Sequence, residues 1–329
     1  MKRTSPSEPD RTPAPAPAGG TLIIVNPKAG AGKALRAAKD LWTRLGDSSH
    51  PSTLALTERP GHATELARGA RAEGVATVIA VGGDGTIQEI VTGLCLNADG
   101  TAAGPTGTLP ALGLLPAGTG GDYRRTFGFT ESVDRALARI LSPRVIEVDI
   151  GRAELTSTSG DRTTLAFANV LSFGIGGLTD RLVEASPKWI GGTAAFYLGA
   201  VRATLVYQPV PIELWIDGVS VGVSAYSNVA VCLGRYFGGG MQVAPSADPA
   251  DGIFEVVTIE GSRASVLALT LDIYRGTHFR RPGVELRRGS SIVAQATRPG
   301  EVLLDVDGEQ PGTLPLAISL LPRALSLLT

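Results

Sequence analysis

The sequence predicts an α/β fold in two parts: an N-terminal, doubly wound parallel sheet, then a mostly antiparallel β-sandwich domain. Three observations carry this. From Thr21 to about residue 147, short apolar runs alternate with stretches of helical spacing. Beyond Val145 the texture changes to longer, alternating runs joined by tight turns. Asp217-Gly218 between two such runs is a hairpin signal. A chain of 329 residues has room for two domains, each with its own core.

Taken in order, TLIIV (21–25) reads as a buried strand and 34–45 as a helix. STLALT (52–57) is a second strand, RPGHATELARGARAEG carries a helix, and TVIAV (77–81) is a third strand. Ile87, Ile90, Val91 and Leu94 place a helix over 86–96. ALGLLP (111–116) is a fourth strand and SVDRALARIL (132–141) a further helix. Strands alternating with amphipathic helices imply a parallel sheet covered on both faces. Ligands bind such sheets at the carboxyl ends of the strands. Three glycine-rich loops fall at that edge, after TLIIV, TVIAV and ALGLLP.

The second half offers VIEVDIGRAEL, TLAFANVLS, PIELWIDGVSVGVSAYSNVAV, IFEVVTI, SIVAQA and EVLLDVDGE as strands. Helices interrupt it at about 178–185, at 193–205 and after Ser262. The last strand and SLLPRALSLLT are expected to return onto the first domain. The expected division is a disordered tail (1–20), a first domain (21–147 plus about 318–329) and a second domain (148–317).

Composition narrows the function. Hydrophobic residues make up 43% and charged ones 19%, a globular balance. A net charge of −1 argues against a nucleic-acid partner. Cys95 and Cys232 lie far apart inside apolar runs, with neither zinc spacing nor a disulfide framework, which fits a reducing, cytoplasmic setting. No apolar run reaches the length of a membrane span, and residues 1–20 lack a signal-peptide core.

The loops carry the chemistry. NPKAGAGK departs from a phosphate-binding Walker loop at Pro27 and Ala34, and from a dinucleotide GxGxxG at Leu35. A glycine-rich turn leading into a helix still presents backbone amides to an anion, with Lys33 adding charge. In IAVGGDGTIQE, glycines allow close approach of a ligand. Thr86 is placed to cap the next helix, the purely structural reading. Asp84 beside phosphate-directed amides makes sense if a divalent cation lies between them. LLPAGTGGDYRR repeats the theme at Gly118, Thr119, Gly120, Gly121 and Asp122. Three such loops at one sheet edge indicate one polyphosphate site.

NPKAGAG, GGDGTIQE and LPAGTGGD resemble the three nucleotide-site motifs of the diacylglycerol kinase catalytic-domain family, which includes bacterial lipid kinases, sphingosine kinases and ceramide kinases. YFGGGMQVAPSADPADGIFEV (236–256) and LLDVDGE (303–309) resemble the family's later motifs, so the likeness runs from Gly20 onward. It implies a fold like that of NAD kinases and diacylglycerol kinases, with ATP and Mg²⁺ as cofactors. It implies nucleotide contacts from Asn26, Pro27, Gly30, Thr57, Gly82, Gly83, Asp84, Gly85, Thr86, Glu89, Gly118, Thr119 and Asp122. Asp84 would position phosphates and metal, and Glu309 would be the general base toward a lipid hydroxyl. Asp248, Asp251 and the carbonyl of Ile253 would hold a structural Mg²⁺.

The sequence departs from the family's pattern at Gly121 and at Gln88, where the pattern has Asn. These departures keep alive a non-catalytic nucleotide- or lipid-binding regulator. A NAD kinase-like enzyme is the other alternative, opposed by the late Asp-Gly-Glu. A lipid kinase would work in the cytoplasm, transiently at the inner membrane face, in peripheral contact without spanning, with a homodimer as one arrangement open to it. FRRPGVELRR (279–288) and Arg124-Arg125 are candidates for anionic headgroups, with an ordinary solvated hairpin the reading to beat. Segment 187–206 is core first and a candidate wall of the lipid cleft second.

Overall fold

The computed structural model describes residues 19–105, 107–117, 121–129, 132–184, 206–298, 300 and 302–329. The helix expected at 193–205, and Gly118, Thr119 and Gly120 of the third loop, lie outside the described residues.

The first half builds as its periodicity dictates. Strand β1 (Thr21–Val25) turns through Ala29–Gly32 into α1 (Lys33–Asp47). Strand β2 (Ser52–Leu56), α2 (His62–Ala72), β3 (Thr77–Gly82), α3 (Asp84–Cys95) and β4 (Ala111–Pro116) follow. A short α4 (Asp122–Thr126) and α5 (Val133–Leu141) complete it. On α1 the buried residues are Ala34, Ala38, Leu41 and Leu45, one stripe at helical spacing. They pack with α5 on one face of the parallel strands, while α2 and α3 cover the other.

The second half is antiparallel. It runs through β5 (Val145–Ser157), β6 (Arg162–Phe167), β7 (Val170–Gly174), α6 (Ile175–Glu184), β8 (Ile212–Ile216), β9 (Val219–Ser224) and β10 (Asn228–Cys232). Then come β11 (Phe254–Ile259), α7 (Arg263–Tyr274), β12 (Val284–Gly289), β13 (Ser291–Ala296), β14 (Leu304–Val306) and β15 (Gly312–Leu328). The β8–β9 turn has Asp217 at φ 49° and Gly218 at φ 77°, the backbone a tight hairpin requires.

One difference from the sequence expectation stands out. TLAFANVLS is not one strand: it breaks at Ala168-Asn169, where the chain passes from the large sheet (β6) to the five-stranded sheet (β7). VELRR, within the stretch read as a solvated hairpin or a headgroup contact, forms the edge strand β12 paired to β11. The large sheet has ten strands and runs β2-β1-β3-β4-β15-β13-β8-β9, with β5 and β6 attached through β15. Strand β15 joins the halves. Leu327 pairs in parallel with Leu112 of β4 on one side and antiparallel with Ile146 of β5 on the other, and β15 also pairs antiparallel with β13. The expected boundary at 147/148 falls within β5.

The five-stranded sheet (β12-β11-β10-β7-β14) closes a sandwich over Phe167, Phe173, Phe254 and Ile292. Its outer face is covered by α7, through Leu269 and Ile273.

Candidate active site

The first two glycine loops and the described ends of the third, Ala117 and Gly121, come together at the carboxyl edge of β1, β3 and β4. Asn26 N–H donates to the Val81 carbonyl (3.1 Å), and Asn26 Oδ1 accepts from Lys28 N–H (3.0 Å), shaping the turn. Gly30 has φ 56°, and a Cβ there would lie 2.1 Å from the Ala117 carbonyl oxygen. Only glycine lets the first loop press against the third. Thr57 N–H donates to the Val25 carbonyl (2.8 Å), which sets it at the end of β2 on the same edge.

The GGDGT loop places Gly83 as the N-cap of α3 and Asp84 in its first turn. Thr86 is therefore not the cap. Its side chain instead fills the space over Gly82, where a Cβ would meet Oγ1 at 2.5 Å. Asp84 Oδ2 accepts from Asp122 N–H (3.0 Å), while Oδ1 is enclosed with no hydrogen-bond partner among the described residues. Burial, then the Asp122 charge, pushes the Asp84 carboxyl up to about 6, partly offset by the amides of residues 121–123.

Asp122 joins the two halves. Its Oδ2 accepts from Gly239 N–H (2.7 Å) and its Oδ1 pairs with Arg125. Burial raises its carboxyl, against the pull of the Gly239 amide and Arg125. Arg235 N–H donates to Thr126 Oγ1 (3.1 Å), a second tie between α4 and the glycine loop of the sandwich.

Glu309 reaches this edge from the opposite side. A Cβ on Gly85 would lie 2.1 Å from Glu309 Oε1, so the carboxylate rests against the first turn of α3. The turn that delivers it is built around Asp307, buried at φ 50°. Asp307 Oδ2 accepts from Ala168 N–H (2.9 Å), and Oδ1 from the N–H of Asn169 (3.1 Å) and Val170 (2.9 Å). These are the amides freed where the chain changes sheets. Burial pushes the Asp307 carboxyl up to about 7, with Asp84 adding to the rise and the three amides opposing it. Asp305 Oδ1 accepts from Gly308 N–H (2.9 Å) and closes the turn.

Other residues singled out in the sequence hold the frame. The Glu89 carboxylate accepts from Gly61 N–H (2.8 Å) and Ala63 N–H (3.0 Å), capping α2. Gln88 is buried and donates to the Ala166 carbonyl (2.9 Å) and Thr92 Oγ1 (3.1 Å), tying α3 to β6. Gly121 adopts φ 69° at the start of α4, a conformation Asn tolerates better than most side chains.

The acidic loop follows Ala247, whose carbonyl accepts from Arg235 Nε (3.0 Å). Asp248 Oδ1 accepts from Ala250 N–H (3.1 Å) and Asp251 Oδ1 from Ile253 N–H (3.2 Å). Burial, then the charges of Asp248 and Asp149, raise the Asp251 carboxyl against the Ile253 amide. Asp149 is buried and accepts from Gly252 N–H (2.7 Å) and Arg323 N–H (2.7 Å), fastening this loop to the irregularity in β15. Among the described residues no group of three or more His, Cys, Asp or Glu converges as a metal cage; the expected set has two carboxylates and one carbonyl.

In the sequence Asp307 stands only as part of the late Asp-Gly-Glu motif, and Asn169 belongs to none of the motifs. The available signal was the unusual placing of Asp305 and Asp307 within the apolar run VLLDVDG.

Residues 20–153 match the diacylglycerol kinase catalytic domain, and 169–329 match the YegS C-terminal NAD kinase beta sandwich-like domain. The chain is 30% identical over 307 residues to the probable lipid kinase YegS of Salmonella newport (strain SL254), covering 93% of this chain and 94% of that one. It is 27% identical over 312 residues to a diacylglycerol kinase of Mycobacterium tuberculosis (strain H37Rv), covering 94% and 95%. A crystal structure of a diacylglycerol kinase from Bacillus anthracis str. Sterne has the same fold, with a TM-score of 0.70, 24% identity, and 94% and 96% of the two chains covered. Yeast NADH kinase shares the architecture more distantly, with a TM-score of 0.51, 14% identity, and 95% and 83% covered. The chain belongs to the diacylglycerol kinase family, in its YegS-like form.

Proposed function

We propose that this chain transfers the γ-phosphate of ATP to a lipid hydroxyl, that of diacylglycerol or a related glycerolipid, in the cleft between its two domains. One observation carries the reading: Glu309, from the sandwich, meets the first turn of α3, the turn that holds Asp84. Relatives named diacylglycerol kinase and lipid kinase along nearly their whole lengths support the acceptor class.

Residues 21–147 with about 318–329 bind ATP, and 148–317 bind the lipid. Backbone amides of the glycine loops and the α3 N-terminus face the phosphates. A lipid alcohol is a weak nucleophile at neutral pH. Glu309 accepts its proton as the new P–O bond forms, while the bond from the γ-phosphorus to the bridging oxygen breaks and ADP departs with the electron pair. Asp307 holds the turn that aims Glu309.

The enclosed Asp84 Oδ1, without a hydrogen-bond partner among the described residues, fits a hard divalent cation, while the Asp122 carboxylate beside it is already engaged by Gly239 N–H and Arg125. Mg²⁺ bound there neutralises phosphate charge. Asp248, Asp251 and the Ile253 carbonyl would hold a second, structural Mg²⁺, whose charge would offset the crowding of carboxylates at that loop. Among the described residues no helix is long and apolar enough to cross a membrane. The enzyme acts from the cytoplasm, meeting its substrate by transient contact with the inner membrane face.

The test is transfer from γ-labelled ATP, with Mg²⁺, into a panel of lipids in mixed micelles, with NAD as a control acceptor. A labelled lipid supports the reading. Label in the NAD well moves the protein to dinucleotide chemistry, and bound ATP without any transfer makes it a regulator. Glu309→Gln is expected to lower turnover by about 10²- to 10⁴-fold with ATP affinity near wild type.

A further inference from the structure

We propose that the outer face of α7, together with the adjoining arginine edge, docks the protein onto an anionic lipid bilayer; the inference rests on the lipid-kinase reading. Helix α7 buries Leu269 and Ile273 against the five-stranded sheet. The opposite side presents Ala264, Ala268 and Leu271 to solvent, with Leu271 61% exposed. From Ala264 to Leu271 the helix contains no charged residue. A surface helix in water ordinarily carries charge on its outer face, so an apolar outer stripe calls for an apolar partner.

The charge beside that stripe selects the partner. Arg275 continues the stripe one turn beyond Leu271. The chain then passes through the His278–Arg280 turn into β12, where Leu286 is 39% exposed on the same side of the strand as Val284. Residues 275–288 include Arg275, Arg280, Arg281, Arg287 and Arg288, in a chain of net charge −1. Three of these arginines are neutralised locally, Arg281 by Asp272 (2.7 Å), Arg287 by Glu285 (2.5 Å) and Arg288 by Glu255 (2.8 Å). Arg275 and Arg280 are exposed and make no ion pair among the described residues. An apolar stripe bordered by unpaired arginines suits the headgroup boundary of a bilayer: the stripe enters the acyl region and the arginines meet anionic headgroups.

The experiment is co-flotation of the full chain, without ATP, with phosphatidylcholine vesicles that contain or lack phosphatidylglycerol. The wild type is expected to bind the anionic vesicles and to lose binding in their absence. Arg275→Ala with Arg280→Ala is expected to weaken partitioning about thirtyfold, and Leu271→Glu to abolish it, with unchanged thermal unfolding. Both variants should still phosphorylate a short-chain, water-soluble diacylglycerol. Wild-type-like binding by either variant, equal binding to neutral vesicles, or no binding by the wild type overturns the docking face. So does a wild-type dimer that Leu271→Glu dissociates while vesicle binding persists. Failure of the kinase reading is separable, because it appears as loss of transfer to the short-chain acceptor while vesicle binding stands.

Discussion

Gly85→Ala tests the meeting of Glu309 with α3 directly. The added Cβ would lie 2.1 Å from Glu309 Oε1 and 2.9 Å from its Cδ, where ordinary contact begins at 3.4 Å. The carboxylate, the far end of a flexible side chain, must withdraw by about 1 Å. A displacement of that size at a reacting group costs about 100-fold in turnover, equivalent to about 2.7 kcal/mol of barrier. The fold should not suffer: Gly85 lies within α3 without a positive φ, so alanine favours the helix by about 1 kcal/mol. The measurement is steady-state kinetics with ATP affinity by calorimetry. The expected result is a large fall in kcat, nearly unchanged ATP affinity and an equal or higher Tm. Combined with Glu309→Gln, the alanine should add no further loss, because both act on one carboxylate. Unchanged turnover in Gly85→Ala, or losses that multiply in the double variant, would refute the reasoning.

Asp84→Asn should trade activity for stability. Burial holds the folded Asp84 carboxyl up at about 6, above its unfolded value of about 4, so the folded chain keeps a proton that the unfolded chain releases. Its destabilisation grows as pH rises from about 4 to about 6 and is constant above. The variant should gain up to about 3 kcal/mol at pH 8 and almost nothing at pH 4; urea unfolding at both values checks this, and a pH-independent difference counts against it. Asp149→Ala should cost about 2–4 kcal/mol in the same assay, since it strips partners from the Gly252 and Arg323 amides at once. Chelation of Mg²⁺ should lower the wild-type Tm and leave that of an Asp248→Asn, Asp251→Asn variant nearly unmoved; equal shifts remove the metal from that loop.

Much of the fold was legible because it rests on local periodicity. Apolar runs such as TLIIV and TVIAV, and the stripe Ala34, Ala38, Leu41, Leu45, specify strands and a helix wherever they are placed. The glycine loops were legible for a related reason: backbone that approaches a neighbour closely, as Gly30 does Ala117, excludes a side chain and leaves its mark in composition. Glu89 shows the limit of such reading. Its place in GGDGTIQE marks it for nucleotide, yet its carboxylate caps α2, a partner 26 and 28 residues distant in the chain.

The order of strands and helices, the three loops at one sheet edge and the acidic residues available to them are all written in the chain's local patterns. That TLAFANVLS breaks between two sheets, that its freed amides bind Asp307, and that Glu309 thereby rests on Gly85 emerge with long-range packing. The physical reason is range. Periodicity and turn chemistry act over a few residues. Asp307 and Asn169 stand 138 positions apart and are joined only because the buried amides at the sheet change need an acceptor and the buried carboxylate needs donors.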